Sequence, residues 1–208
     1  MSFVFQFKET EQHVFIHIPK NGGTALVEAL MPFNPYKEVK KRRPNRDFVG
    51  HLTYRETTPL MTTNFTVRYF CIIRNPWSRM VSLYHYLKQT NPKVHGYHDL
   101  HKPLKKGLRF DEFVSRIITD PENRFKAQID YMTDAQGALA IDHILSLENL
   151  EADANCFLQE VGIDIAVEVP RSNTSKHTNY REYYTSPDTI EAVADFERGI
   201  HQIVPMEF

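Results

Sequence analysis

The stretch IPKNGGTA at residues 18–25 sets Lys20, two glycines and a threonine directly behind the apolar run HVFIHI and ahead of LVEALM. At the C-terminal end of a strand, a glycine turn feeding a helix exposes backbone N–H groups beside the positive helix end, a natural seat for phosphate. Gly22 and Gly23 allow the chain to approach a ligand closely, Thr24 adds a hydroxyl, Lys20 brings a mobile positive charge, and Asn21 and Ala25 complete the turn. The chemistry on offer is anion binding. Taken alone, the segment fits a plain structural turn equally well.

A second strand-turn-helix unit narrows the ligand. TVRYFCII (66–73) runs into Arg74, and the helix pattern NPWSRMVSLYHYLK (75–88) starts behind it, with Asn75 as cap and Pro76 at the first helical position. A nucleotide kinase or ATPase would carry G-x-x-x-x-G-K-[ST], with the hydroxyl beside the lysine for magnesium, and often an aspartate at the end of a second strand. Here Lys20 precedes the glycines, no GK[ST] occurs, and a cation stands at the second strand end. Arg74 and Ser82 can reach one phosphate if the intervening helix flanks the ligand crevice. Arg79 reads as an outward salt bridge, and Trp77, Met80, Val81, Tyr84 and Leu87 as packing. The expectation is a second anionic group on the ligand and no metal.

A histidine on the rim of that crevice could accept a proton near neutral pH. Of ten histidines, His51 in FVGHLTY (48–54) falls at the end of an expected short strand, on the rim that would carry both anion sites. His17 lies in the first strand pattern and reads as a hydrogen-bonded core residue; His85 falls within a helix. His95, His98 and His101, with Asp99, read as a solvated loop because their spacing is irregular for metal ligands. Asp142 and Glu148 bracket a later strand, and capping or a salt bridge explains Glu148 more simply than catalysis.

The elements that must position these residues alternate in type. HVFIHI (13–18) reads as a buried strand ending at Pro19, and Leu26, Ala29 and Leu30 repeat at helical spacing until Pro32. YKEVKKRRPNRD (36–47) reads as an exposed basic loop. FDEFVSRII (110–118) and Glu122 to Thr133 read as helices, IDHILSL (141–147) as a strand, and ENLEADANCFLQEVG (148–162) as a helix ending at Gly162. SPDTIEAVADFERGIHQI (186–203) closes the chain as an amphipathic helix. The fold class expected is α/β, a three-layer, P-loop-like domain with a central, mainly parallel sheet flanked by helices.

PKNGGTA resembles the 5′-phosphosulfate loop of the sulfotransferases, and RNPWSRMVSLYHY resembles their 3′-phosphate motif, an arginine followed eight residues later by a serine. The pattern is similar to the carbohydrate-type branch, including the heparan 2-O-sulfotransferases and bacterial relatives. IDHILSLENLEAD and RSNTSKHTNYREYYTS resemble that family's later strand and its C-terminal, cofactor-facing loop, so the likeness covers nearly the whole chain. The resemblance implies a single sulfotransferase-like domain over 1–208 and 3′-phosphoadenosine 5′-phosphosulfate (PAPS) as donor. The 5′-phosphosulfate would lie on residues 20–25, the 3′-phosphate on Arg74 and Ser82, with Thr174 and Ser175 as weaker contacts. Lys20 would stabilise charge on the leaving oxygen, and His51, in a Gly-His setting similar to the family's, would be the base. The acceptor expected is a hydroxyl of a carbohydrate, and the product nucleotide is 3′-phosphoadenosine 5′-phosphate (PAP).

Bulk properties bound the rest. At 208 residues, 41% hydrophobic and 25% charged, the chain suits one globular core, and its net charge of −1 gives no general attraction for nucleic acid or an acidic membrane. KKRR (40–43) and KKGLR (105–109) read first as solvated loops and second as contacts for an acidic acceptor. Cys71 and Cys156 cannot build a disulfide framework and read as buried structural thiols. The N-terminal residues lack a secretory pattern, no bilayer-length apolar run occurs, and a cytoplasmic protein is expected. A P-loop nucleotide kinase and a non-catalytic nucleotide-binding module are the alternatives.

Overall fold

In chain order the protein forms strands β1 (Phe3–Lys8) and β2 (Glu11–Ile16), helices α1 (Gly23–Leu30) and α2 (Tyr54–Thr57), strand β3 (Thr66–Ile73), and helices α3 (Pro76–Gln89), α4 (His98–Lys105), α5 (Phe110–Ile118) and α6 (Gln128–Met132). Strand β4 (His143–Ser146) and helices α7 (Leu150–Glu160), α8 (Pro187–Phe196) and α9 (Arg198–His201) follow. The structure is a computed structural model that describes residues 3–33, 51–61, 63–170 and 178–208. The chain divides into two units, Met1–Arg74 with Gln128–Asn173, and Asn75–Ala127 with Thr174–Phe208.

The first unit holds the sheet, in the order β1-β2-β3-β4. β1 runs antiparallel to β2, while β2, β3 and β4 are parallel, with Phe15 opposite Phe70 and Ile72 opposite Leu145. Alternation sends Phe5, Phe15, Phe70, Ile72 and Leu145 to one face, where they bury against Leu26 and Leu30 of α1 and Leu150, Phe157 and Leu158 of α7. Tyr69 points to the other face and meets Tyr54 of α2 edge-to-face, with ring centroids 4.7 Å apart. The mixed α/β sheet flanked by helices agrees with the sequence expectation, and β3 matches its expected span residue for residue. β1 was not foreseen from sequence.

The second unit is helical. Asn75 caps α3 by accepting the Ser78 N–H at 3.0 Å, and Trp77, Met80, Val81, Tyr84 and Leu87 bury against Phe110, Phe113, Val114 and Ile117 of α5 and Val193 of α8. Arg79 corrects the outward salt bridge expected of it: it is 0% exposed, paired with Glu197, and lies over the Phe125 ring at 3.9 Å.

Other expectations are corrected by local chemistry. FVGHLTY does not end in a strand: residues 51–53 are irregular, and Thr53 forms a capping box with Glu56 that starts α2. The helix expected from Glu122 to Thr133 is confined to Gln128–Met132, because the Asp120 carboxylate takes the N–H groups of Glu122 and Arg124 into a turn. The loop read for YHDLH is the start of α4, held by buried Leu100 and Leu104 and by Arg124, which donates to Asp99 at 2.7 Å and to the Gly96 carbonyl at 2.8 Å. The single closing helix breaks at Glu197, the residue that turns inward to Arg79. Cys71 is buried, which raises its thiol pKa, whereas Cys156 is exposed rather than buried. Among the described residues no helix is long and apolar enough to cross a membrane.

The Arg79–Glu197 pair predicts a large single-mutant penalty. Arg79→Met should cost about 3–5 kcal/mol because it leaves Glu197 to be buried as a charge or protonated, and adding Glu197→Leu should recover most of that loss. Urea unfolding of the two variants checks it.

Candidate functional site

The site grows from the end of β2. Its parallel ladder with β3 stops at Ile16 opposite Cys71, and the chain then turns through residues 17–22 into α1. Lys20 has φ 70° and Gly22 φ 77°, both left-handed. For lysine this conformation costs about 1–2 kcal/mol and persists only where its surroundings impose it. Gly22 is the helix cap, its carbonyl accepting from Ala25 N–H at 3.0 Å, and a Cβ there would collide with Leu147. A Cβ on Gly23 would collide with the His17 ring. α1 has no side-chain cap bond and no acidic residue in its first turn, so its positive end is not neutralised locally. Thr24 is exposed there, and Ala25 is buried. These are the features an incoming anion needs.

A buried polar network holds the turn. Asn21 is 1% exposed, and its side-chain Nδ2 donates to the Ile72 carbonyl and to Gln128 Oε1, both at 2.7 Å. Gln128 Oε1 also accepts the Arg74 N–H at 2.9 Å, while its Nε2 donates to the Arg74 carbonyl at 2.9 Å. Arg74 Nη1 in turn donates to the Lys20 carbonyl at 2.8 Å. The Asn21 side chain therefore faces inward, and the surroundings that impose the left-handed Lys20 are identified.

The two cationic side chains act on each other. Burial, and after it the charge of Arg74, lowers the Lys20 pKa from 10.5 to about 8. A negative ligand group between them would reverse that shift.

His51 joins the same segment. It is exposed, its Nδ1 lies 2.9 Å from the His17 carbonyl, and the two rings meet edge-to-face at 4.6 Å. A carbonyl only accepts, so Nδ1 carries a proton, and in the neutral ring Nε2 is then the acceptor nitrogen. His17 lies just beyond β2 rather than inside it, and burial, with His51 adding to it, lowers its pKa to about 3. His17 thus stays neutral beside His51. Sequence reasoning set it aside as core and missed its place here.

Lys20, Asn21, Gly22, Gly23, Thr24, Ala25, His51 and Arg74 all fall in the first unit. Ser82 belongs to the second, buried on α3. Thr174, Ser175 and the basic run 40–43 lie outside the described residues. Asp142 accepts from Tyr69 N–H and pairs with Arg68, and Glu148 accepts from Ser146 Oγ, so both have local structural work. Lys105, Lys106 and Arg109 are exposed, as expected of KKGLR. Gln128 was missed altogether, since no spacing rule marks it.

The rim of the α/β sheet thus brings together a left-handed lysine turn, an arginine and a histidine whose Nδ1 faces a carbonyl. The model of the sulfotransferase family matches residues 4–203, and the chain belongs to that family, which makes it a transferase. A relative, an uncharacterised protein of Archaeoglobus fulgidus, is 32% identical over 114 residues, covering 54% of this chain and 82% of its own length. No solved structure matches.

The lowered lysine predicts a pH-dependent anion affinity. Sulfate keeps its charge across the alkaline range and binds the protonated lysine better, so it raises the Lys20 pKa. Its affinity should therefore fall as pH rises past about 8 and level off once the bound-state pKa is passed. NMR titrations with sulfate should show that slope in the wild type and none in Lys20→Met.

Proposed function

We propose that the protein transfers the sulfuryl group of PAPS to a hydroxyl of a carbohydrate. The observation that carries this reading is the bond from Arg74 Nη1 to the Lys20 carbonyl, which joins the two segments that resemble the 5′-phosphosulfate and 3′-phosphate motifs. Lys20, with the backbone N–H groups of residues 22–25 at the α1 end, receives the 5′-phosphosulfate. Arg74 and, by motif spacing, Ser82 receive the 3′-phosphate; Thr174 and Ser175 add contacts on the resemblance alone. The two units are taken as one transferase domain because the family match runs through both.

In the reaction the acceptor oxygen attacks sulfur in line with the bridging S–O bond to the 5′-phosphate. His51 Nε2 takes the hydroxyl proton as the new O–S bond forms, and the bridging S–O bond breaks to leave a sulfate ester and PAP. The Lys20 ammonium stabilises the charge that develops on the departing phosphate oxygen. The carbohydrate acceptor rests on the branch that the motifs resemble, and KKGLR offers exposed cations for an acidic sugar.

Thermal unfolding with PAP, ATP plus magnesium and GTP separates the alternatives, with stabilisation by PAP expected and preferential stabilisation by ATP and magnesium pointing to a kinase. In sulfate-transfer assays, His51→Ala should lose roughly 10²–10⁴-fold in rate while retaining PAP binding. An unchanged His51→Ala rate would remove it as the base, and PAP binding without transfer to any acceptor class would mark a non-catalytic module.

A further inference from the structure

We propose that Gln128 is a positioning residue for the transfer: its buried carboxamide clamps the end of β3 to the Lys20 turn, so that Arg74 and Lys20 are presented to one donor as a fixed pair. The inference rests on the donor reading above, although its geometry does not.

Gln128 is 0% exposed and cannot touch a ligand in solvent reach, so any effect on transfer passes through the residues it binds. The β3–β4 ladder ends at Ile73 opposite Ser146, which leaves Arg74 as the first residue past strand pairing. Both backbone groups of Arg74 are then met by one side chain: its N–H by Gln128 Oε1 and its carbonyl by Gln128 Nε2, each at 2.9 Å. The carboxamide thus substitutes for one more residue of a neighbouring strand. The same Oε1 accepts from Asn21 Nδ2, whose other bond goes to the Ile72 carbonyl. Arg74 Nη1 closes the ring on the Lys20 carbonyl.

Chain separations of 54 and 107 residues are bridged by one amide group, and both of its polar atoms are used. A residue serving only to fill volume at this position would be apolar, because burying an amide gains nothing unless it is hydrogen-bonded. A small shift of the strand end would move the guanidinium and release the left-handed turn together. Misplacement of this order is enough to cost roughly a hundredfold in rate.

The test uses the full chain as wild type, Gln128→Leu and Gln128→Glu. Lys20 is titrated by NMR of its ¹³Cε, PAP affinity is measured by calorimetry, and transfer is followed against pH. In Gln128→Leu, Lys20 should leave its value of about 8 and move up toward 10.5, PAP affinity should fall at least tenfold, and kcat should fall further than the donor KM rises. Gln128→Glu separates positioning from packing. Its protonated carboxyl can donate to the Arg74 carbonyl as the amide does, while the carboxylate cannot. Its PAP affinity should approach the wild type at low pH and drop as the carboxyl ionises, a step absent from the wild type.

A Gln128→Leu protein with Lys20 still near 8 and PAP affinity within twofold of wild type overturns the proposal. So does a Gln128→Glu affinity that shows no additional pH step, and that arm decides the matter if Gln128→Leu does not fold. A wild type that fails to bind PAP sinks the donor reading instead, and with it the role in transfer, while the Lys20 titration still reports whether the clamp exists.

Discussion

The bond from Arg74 Nη1 to the Lys20 carbonyl is the constraint on which the rest of the site depends. A lysine in left-handed conformation relaxes to an ordinary one unless something holds its carbonyl in place. The guanidinium does so, and the backbone of Arg74 is itself fixed by Gln128. Each donor and acceptor that the ring does pair would cost about 1–3 kcal/mol if left unmet, which favours the observed pairing. The loop's shape is set from below, by side chains facing the core, which leaves its outer surface for a ligand.

The electrostatics follow from that shape. Burial of Lys20, and after it the charge of Arg74, lowers the lysine pKa to about 8 beside a helix end with no acidic residue in its first turn. A multiply charged ligand removes the repulsion and the desolvation cost in one step. In the proposed transfer, charge preorganised in this way would favour the state in which negative charge grows on the leaving oxygen.

Sequence alone exposed the parts governed by local rules. β3, α3 and α5 announced themselves through apolar runs, the Asn75-Pro76 start and helical spacing, and the anion turn through its glycines. What stayed hidden depends on partners far along the chain. Gln128 looks like any polar residue of a helix until Arg74 and Asn21 are beside it. Arg79 is a surface cation by pattern and a core residue by virtue of Glu197. The expected strand at FVGHLTY shows a different failure, because apolar content was weighed above the Thr53-x-x-Glu56 capping box that was present in the sequence all along.

The short segment from His17 to Lys20 explains how His51 and the Lys20 turn come to share one rim. β2 stops pairing at Ile16, so carbonyls beyond it need new donors. His17 gives its carbonyl to His51 Nδ1, and Lys20 gives its carbonyl to Arg74. Two of the acceptors beyond the ladder are thus met by the side chains of His51 and Arg74, and meeting them orients those side chains. The chain then enters α1, whose first turn has no side-chain cap bond and no acidic residue. The end of a single strand therefore holds both the imidazole and the guanidinium through its own carbonyls. Side chains placed in this way keep their spacing for as long as the strand end holds, because they are referenced to the same few backbone atoms.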